Sequence, residues 1–134
     1  MATHEPVDPA ENPFKGKTGV ARVIQAFFNS CAGLADAFRH EAAFRQEMAL
    51  AVVLIPAAFV IDVSPVERVL LIGSVMLVLI VELLNTGVEV TVDRISYEHH
   101  SLSKRAKDIG SAAVLLSLVL LAIAWAIIAL PKIP

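Results

Sequence analysis

The chain has 134 residues, of which 57 % are hydrophobic and 18 % are charged, with a formal net charge of −2. Soluble domains average roughly 45–50 % apolar and about 25 % charged residues. Here the apolar excess is concentrated: residues 109–130 carry no charge, enough for a helix that crosses a bilayer. The composition therefore disfavours a soluble globular protein. It also argues against nucleic-acid binding, which needs a basic face, and the single Cys31 allows neither an intrachain disulfide nor a cysteine metal cage.

The first forty residues predict a disordered polar tail followed by an amphipathic helix. Residues 1–17 are polar and proline-rich, without the basic start and apolar stretch of a signal peptide. Over residues 18–40, apolar residues recur at steps of three and four, which marks one face of a helix. They are Val20, Val23, Ile24, Phe27, Phe28, Cys31, Leu34 and Phe38. Because the next segment is membrane-spanning, we favour a helix in the membrane interface over a surface helix of a soluble core.

Three transmembrane helices are predicted over residues 42–62, 65–96 and 104–130, so that residues 18–134 form one all-α membrane domain. Pro56 lies inside the first, where membrane helices tolerate proline. Ser64 can cap the second, and Pro65 suits its first turn. At roughly 30 residues and about 45 Å, the second helix exceeds the hydrocarbon core. Its last turns should extend beyond the membrane.

The distribution of basic residues predicts the orientation. Nine of them lie on the side of the N-terminus and of the loop between the second and third predicted spans, in the tail, the first helix or the ends of the spans, whereas only Arg68 and Lys132 lie on the other side. Short cytoplasmic loops carry the excess of Lys and Arg. The N-terminus is therefore expected in the cytoplasm and the C-terminus outside.

A polar stripe on the second span is the strongest candidate for a functional site. Glu82, Asn85 and Glu89 fall on one helix face, starting where the apolar run ends. Ionisable groups inside a membrane are costly and point to function. Asp93 continues the stripe, but beside Arg94 it is better interpreted as a helix-packing residue or part of a solvated face.

Two further polar clusters, residues 41–47 and 103–108, reach the same membrane boundary. Glu41 and Glu89 could share a Mg²⁺ ion, which prefers oxygen ligands and keeps substrate phosphates in its shell. Lys107 or Arg22 could hold phosphate charge, and Glu82 could accept a proton from a membrane alcohol. These are the parts of a phosphoryl-transfer site. The Gly16-Lys17-Thr18 string is no P-loop, because Glu11 stands where that motif needs glycine and no strand precedes it.

These strings make the chain resemble the bacterial integral-membrane diacylglycerol kinase family from about residue 18 to residue 125. The matching strings are Glu-Ala-Ala-Phe-Arg-Gln-Glu (41–47), Arg-Val-Leu-Leu-Ile (68–72), Val-Met-Leu-Val-Leu-Ile-Val-Glu-Leu-Leu-Asn (75–85), Val-Glu (88–89), Val-Asp-Arg-Ile (92–95) and Arg-Ala-Lys-Asp-Ile-Gly-Ser-Ala-Ala (105–113). The chain departs from the family pattern at Gln25, Asn29, Cys31 and His99.

The resemblance implies a homotrimer in the bacterial inner membrane that phosphorylates diacylglycerol to phosphatidic acid with ATP and Mg²⁺. It implies Glu82 as the general base and Glu41 and Glu89 as the magnesium ligands. The nucleotide-contacting positions it implies are Arg22, Asn29, Glu41, Asn85, Glu89, Glu98, His99, His100, Lys107 and Asp108. The lipid-contacting positions are Arg22, Ala43, Phe44, Arg45, Gln46, Glu47, Arg68, Glu82, Ser111 and Trp125.

Three other interpretations remain open at this point. The nearest is a kinase of another membrane alcohol, undecaprenol. The second is a small oligomeric transporter with Glu82 as a proton relay, although a carrier places its carboxylate near the bilayer midplane and Glu82 lies at the boundary. The third is a structural or regulatory membrane subunit without ATP turnover.

Overall fold

The computed structural model describes residues 18–95 and 100–134, and within these ranges it contains helices and no strands. Four α-helices are followed by a short 3-10 helix: α1 (Val20–His40), α2 (Ala42–Val60), α3 (Pro65–Ile95), α4 (Ser101–Ile128) and Leu130–Lys132. By length and composition, α2, α3 and the continuous segment Ser101–Lys132 can each cross a membrane. The predicted all-α fold is therefore confirmed for the described residues, with three helices long and apolar enough to span a membrane.

The described chain divides into two compact units at Asp36. The first contains most of α1, which begins after Gly19, a residue in the left-handed region with a φ of 63°. Apolar side chains of α1 are exposed in this unit, among them Val23, Phe27 and Phe28. The rings of Phe27 and Phe28 meet edge to face, with centroids 6.0 Å apart.

The second unit begins with the corner between α1 and α2. Glu41 leaves the helical conformation, with φ −105° and ψ 112°, and its side chain makes no capping hydrogen bond. The Arg45 guanidinium donates to the backbone carbonyls of Phe38 (3.0 Å) and Arg39 (3.1 Å) at the end of α1. A cation on these carbonyls satisfies acceptors that the helix end leaves open. Arg45 therefore has backbone partners rather than a helical ion pair with Glu41.

A tight turn of Ile61–Ser64 joins α2 to α3. The Glu67 N–H donates to Ser64 Oγ (3.2 Å), and the Ser64 N–H donates to Glu67 Oε2 (2.7 Å). This reciprocal pair is a capping box and bears out the predicted Ser64 cap. Arg68 adds a second fastening, because its Nε donates to the carbonyl of Ala58 at 2.9 Å.

Small and medium apolar residues form the interior of the second unit. Ala37, Phe44, Ala51, Val75 and Leu79 form one buried cluster, and Ala58, Val63, Leu71 and Ala129 form another. Membrane helices associate through close packing rather than the hydrophobic effect, which favours small residues at their contacts. The buried hydroxyls of Ser74 and Ser117 donate to carbonyls of their own helices.

Helix ends differ by a few residues from the predicted ranges. The α2 helix ends at Val60, because the chain turns extended at Ile61. The α4 helix begins at Ser101, ahead of the predicted Lys104, because His100 acts as its cap: His100 Nδ1 accepts from the Leu102 N–H at 3.1 Å.

Candidate functional site

Four carboxylates gather where the start of α2 meets the second half of α3. Glu82 is only 4 % exposed and lies on α3 between Leu79, a member of the first apolar cluster, and Leu83, which packs against that cluster. Glu41 and Glu89 lie close enough to Glu82 for electrostatic repulsion between the carboxylates. Glu47 lies within the same range of Glu82. Glu41, Glu47, Glu82 and Glu89 are called the acidic cluster below.

The acidic cluster lacks the partners that buried charges normally have. In the part of the chain that the structure describes, no Lys or Arg forms an ion pair with any of its four members. Glu47 Oε2 is buried without a hydrogen-bond partner there. Buried charges are normally paired or bound to a metal, and buried polar atoms are normally hydrogen-bonded. The cluster therefore fits a cation or donor groups brought by a ligand.

The donor set fits a metal held jointly with a ligand better than a metal held by protein alone. Among residues 18–95 and 100–134, no group of three or more His, Cys, Asp or Glu side chains is arranged to hold a metal ion. Mg²⁺ is commonly bound through one or two carboxylates plus substrate phosphates and waters. Glu41 and Glu89 meet that requirement in kind and number.

Asn85 lies one turn from Glu82 and is bonded to the acidic cluster. Its Nδ2 donates to Glu89 Oε1 at 3.2 Å. Its Oδ1 is buried, and no described residue donates to it. The amide therefore holds one carboxylate of the cluster in place and leaves one acceptor unused.

A salt bridge joins α3 to α4 beside this group: Lys107 Nζ lies 2.5 Å from Asp93 Oδ1, with both side chains about two-fifths exposed. This pair confirms the packing interpretation of Asp93, whose partly exposed carboxylate bridges α3 and α4. A second pair, Lys104–Asp108, lies within one turn of α4 and is largely exposed. Such surface pairs contribute little to stability.

The segment 41–47 is split between packing and the site. Phe44 is a fully buried member of the first apolar cluster, and Arg45 binds backbone carbonyls. Ala43 and Gln46 are exposed. Only Glu41 and Glu47 contribute to the acidic cluster.

Three other predicted site residues form no hydrogen bond or ion pair with the acidic cluster among the described residues. Arg68 is fourteen positions from Glu82 along α3, about 21 Å, and its guanidinium binds the carbonyls that end α2. Trp125 packs against both apolar clusters with a buried, unpartnered Nε1. Ser111 is exposed.

The remaining predicted positions are on α1 or near α4. Arg22 and Asn29 lie on α1 in the first unit, and Asn29 Oδ1 accepts from Gln25 Nε2. His100 caps α4. Glu98 and His99 fall outside the described residues.

One residue of the site was missed at the sequence level. Gly110 on α4 comes so close to Asn85 that a Cβ there would collide with the Asn85 side-chain oxygen. The available signal was a glycine within a membrane helix, which favours close helix approach.

Sequence comparison identifies the family to which this arrangement belongs. The profile of the family described as prokaryotic diacylglycerol kinase matches residues 28–129. The chain belongs to this family. Proteins named diacylglycerol kinase are 56 % identical over 119 residues in Pseudomonas aeruginosa (89 % of this chain, 97 % of the relative) and 50 % identical over 111 residues in Escherichia coli K12 (83 % and 91 %). A third, from Helicobacter pylori 26695, is 40 % identical over 115 residues (86 % and 89 %).

These matches confirm the resemblance and the kinase class. The residues matched by the family profile include the whole acidic cluster, Asn85 and Gly110, whereas Arg22 precedes that range. They favour a diacylglycerol kinase over an undecaprenol kinase, a transporter or a structural subunit.

Proposed function

We propose that this protein transfers the terminal phosphate of ATP to diacylglycerol, forming phosphatidic acid, at the end of the helix bundle that carries the acidic cluster. The observation that carries the proposal is the buried Glu82, set among three other carboxylates, none of which forms an ion pair with a Lys or Arg of the described residues. A donor with both metal and phosphate groups complements such a site. The relatives named diacylglycerol kinase support this assignment.

Glu82 is proposed to act as the general base. Its carboxylate takes the proton of the lipid hydroxyl while that oxygen forms a bond to the terminal phosphorus and the bond to the leaving ADP breaks. Burial of Glu82 keeps bulk water from competing as acceptor. Its place at the end of the apolar run of α3 suits a hydroxyl that arrives from the lipid side.

Glu41 and Glu89 are proposed as the magnesium ligands. A bound Mg²⁺ would neutralise phosphate charge as a Lewis acid. Glu41 is free of capping duties, and Asn85 orients Glu89. Both carboxylates can therefore face a metal–nucleotide complex without giving up another role.

The nucleotide is proposed to lie toward the α3–α4 salt bridge. Lys107 is committed to Asp93, but an ammonium has three N–H donors and can bind a phosphate as well. The proposed contacts at this end also include Asp108 and His100. Arg22, Asn29, Glu98 and His99 remain predictions from the resemblance, as do the lipid contacts of residues 43–47, Arg68, Ser111 and Trp125.

A homotrimer is proposed as the active form, the number three coming from the family resemblance. Glu89 is half-buried and the neighbouring Val88 and Val90 are exposed, so α3 offers both a charge and an apolar surface that a second copy can cover. Crosslinking in mild detergent should give trimers. Full activity of a species that crosslinks only as a monomer would contradict the assembly.

The protein is proposed to lie in the bacterial inner membrane with its N-terminus in the cytoplasm and α1 in the interface. The charge asymmetry of the loops and the exposed apolar side chains of α1 support this placement. Alkaline phosphatase fused to the C-terminus should be active, and green fluorescent protein there should be dark. The opposite pair of results would reverse the topology.

The direct test is phosphatidate formation by the purified protein from ATP, Mg²⁺ and diacylglycerol in mixed micelles. Undecaprenol in a parallel reaction is the matched competitor, and a chain carrying Glu82→Gln is the inactive control. Phosphatidate should form at least about 10²-fold faster with the native chain than with Glu82→Gln. Preferential phosphorylation of undecaprenol, or no lipid product, would overturn the proposal.

A further inference from the structure

Gly110 and Asn85 form the closest approach between α3 and α4 at the acidic cluster. A Cβ at Gly110 would collide with Asn85 Oδ1, whereas one at Gly73 or Gly87 would meet nothing within 4 Å. The two glycines on α3 can therefore carry a methyl group where Gly110 cannot. The Asn85 amide occupies the space that a side chain at Gly110 would need.

The Asn85 amide has different surroundings at its two ends. Nδ2 donates to Glu89 Oε1, while Oδ1 is buried beside Gly110 without a donor. Turning the amide away from Gly110 would move Nδ2 away from Glu89. The position of the Glu89 carboxylate therefore depends on the absence of a side chain at Gly110 of the neighbouring helix.

We propose that Gly110 is a positioning residue of the kinase site: its lack of a side chain admits the Asn85 amide between α3 and α4, and Asn85 in turn holds Glu89 toward the metal–nucleotide complex. This inference rests on the proposed role of Glu89 as a magnesium ligand. Groups that orient metal ligands typically contribute 10–100-fold to metal affinity or activity.

Gly110→Ala is expected to affect the site without disturbing the fold. The collision at Gly110 involves the end of a side chain and not backbone, and alanine is a better helix former than glycine. Gly110→Ala should therefore preserve the helices and thermal stability while displacing Asn85.

The experiment measures Mn²⁺ binding by electron paramagnetic resonance, with a non-hydrolysable ATP analogue, on the full chain in detergent. Gly110→Ala should weaken Mn²⁺ binding by about 10–100-fold and raise the Mg²⁺ concentration needed for half-maximal turnover. Gly73→Ala is the matched control and should leave both unchanged. Unaltered Mn²⁺ binding in Gly110→Ala would overturn the inference.

A double-mutant cycle tests the coupling. By itself, Asn85→Ala should weaken Mn²⁺ binding. Adding Gly110→Ala to that variant should not weaken Mn²⁺ binding further, because the side-chain oxygen that would collide is no longer present. Additive losses would overturn the inference, as would normal binding in Asn85→Ala, a result that stands even if Gly110→Ala fails to fold.

Glu89→Gln separates the two proposals. If it leaves Mn²⁺ binding intact, the metal assignment falls and this inference with it; if it abolishes binding while Gly110→Ala does not weaken it, this inference alone falls.

Discussion

The two ends of the α2–α3 pair differ in how their polar groups are hydrogen-bonded. At the Arg68 end, the capping box and the guanidinium bind the open backbone groups, and Leu71 is fully buried. At the Glu82 end, Glu47 Oε2 and Asn85 Oδ1 are buried without hydrogen-bond partners in the described residues. The backbone groups of the turn at the first end are satisfied by side chains of the chain itself, whereas two buried side-chain atoms of the second end have no partner among the described residues.

This difference predicts which substitutions reduce turnover and which reduce stability. Groups that satisfy their partners within the chain stabilise the fold, whereas buried polar groups left without a partner in a charged cluster are candidates for ligand binding. Changes at the Glu82 end should therefore reduce turnover with little loss of stability. Changes at the Arg68 end should lower stability first.

The largest expected effect is that of Glu82→Gln. Loss of the base should lower kcat by about 10²–10⁴-fold, with trimer assembly and binding of the ATP analogue kept. Glu82→Asp should fail nearly as badly, because a carboxylate displaced by about 1 Å can cost 10²-fold. Steady-state phosphatidate formation measures kcat, crosslinking measures the trimer, and calorimetric titration measures binding of the ATP analogue. A kcat within a few-fold of the native value, or loss of the trimer, would make Glu82 a packing residue.

The next effect is that of Glu41→Gln and Glu89→Gln. Each removes a charge proposed to hold Mg²⁺, so metal–nucleotide binding should weaken by at least the 10–100-fold typical of supporting residues. Calorimetric titration of the Mg²⁺–nucleotide complex checks this, with Asp62→Asn as a control carboxylate in the α2–α3 turn. Near-normal turnover of either variant at ordinary Mg²⁺ would make that glutamate structural.

A smaller effect, on stability, is expected at the opposite end. Arg68→Ala removes donors to the carbonyls of Ala58, Ile61 and Val63, and hydrogen bonds from a charged group contribute about 1.5–3 kcal/mol. Thermal unfolding in detergent should show a lower Tm, with part of the loss restored in Arg68→Lys. An unchanged Tm together with a raised KM for diacylglycerol would instead assign Arg68 to the lipid site.

The smallest effect is that of Ser64→Ala. It removes the Oγ acceptor of the capping box, which typically costs about 1 kcal/mol. Denaturant or thermal unfolding should detect the change, and kcat should not move. A loss of turnover at full stability would break the division between the two ends.

The sequence predicted the helices well and the side-chain partners poorly. Apolar runs and the Ser64-Pro65 start are local signals, so α2 and α3 could be placed from them. The spacing of Glu82, Asn85 and Glu89 likewise predicted a shared face. The partners of Asp93 and Arg45 depend on which helices meet, and spacing within one helix carries no such information. The role of Gly110 was hidden for the same reason.

The unequal lengths of α2 and α3 tie the site to the thickness of the bilayer. With 19 residues, α2 is about 28 Å long and barely matches a hydrocarbon core of roughly 30 Å. Glu41 and Glu47 lie at one of its ends, and Arg68 fastens the other to α3. A thicker bilayer must therefore thin locally or draw these carboxylates into lipid, while the 31 residues of α3 leave length to spare. Hydrophobic mismatch thus falls on the half of the acidic cluster that α2 supplies.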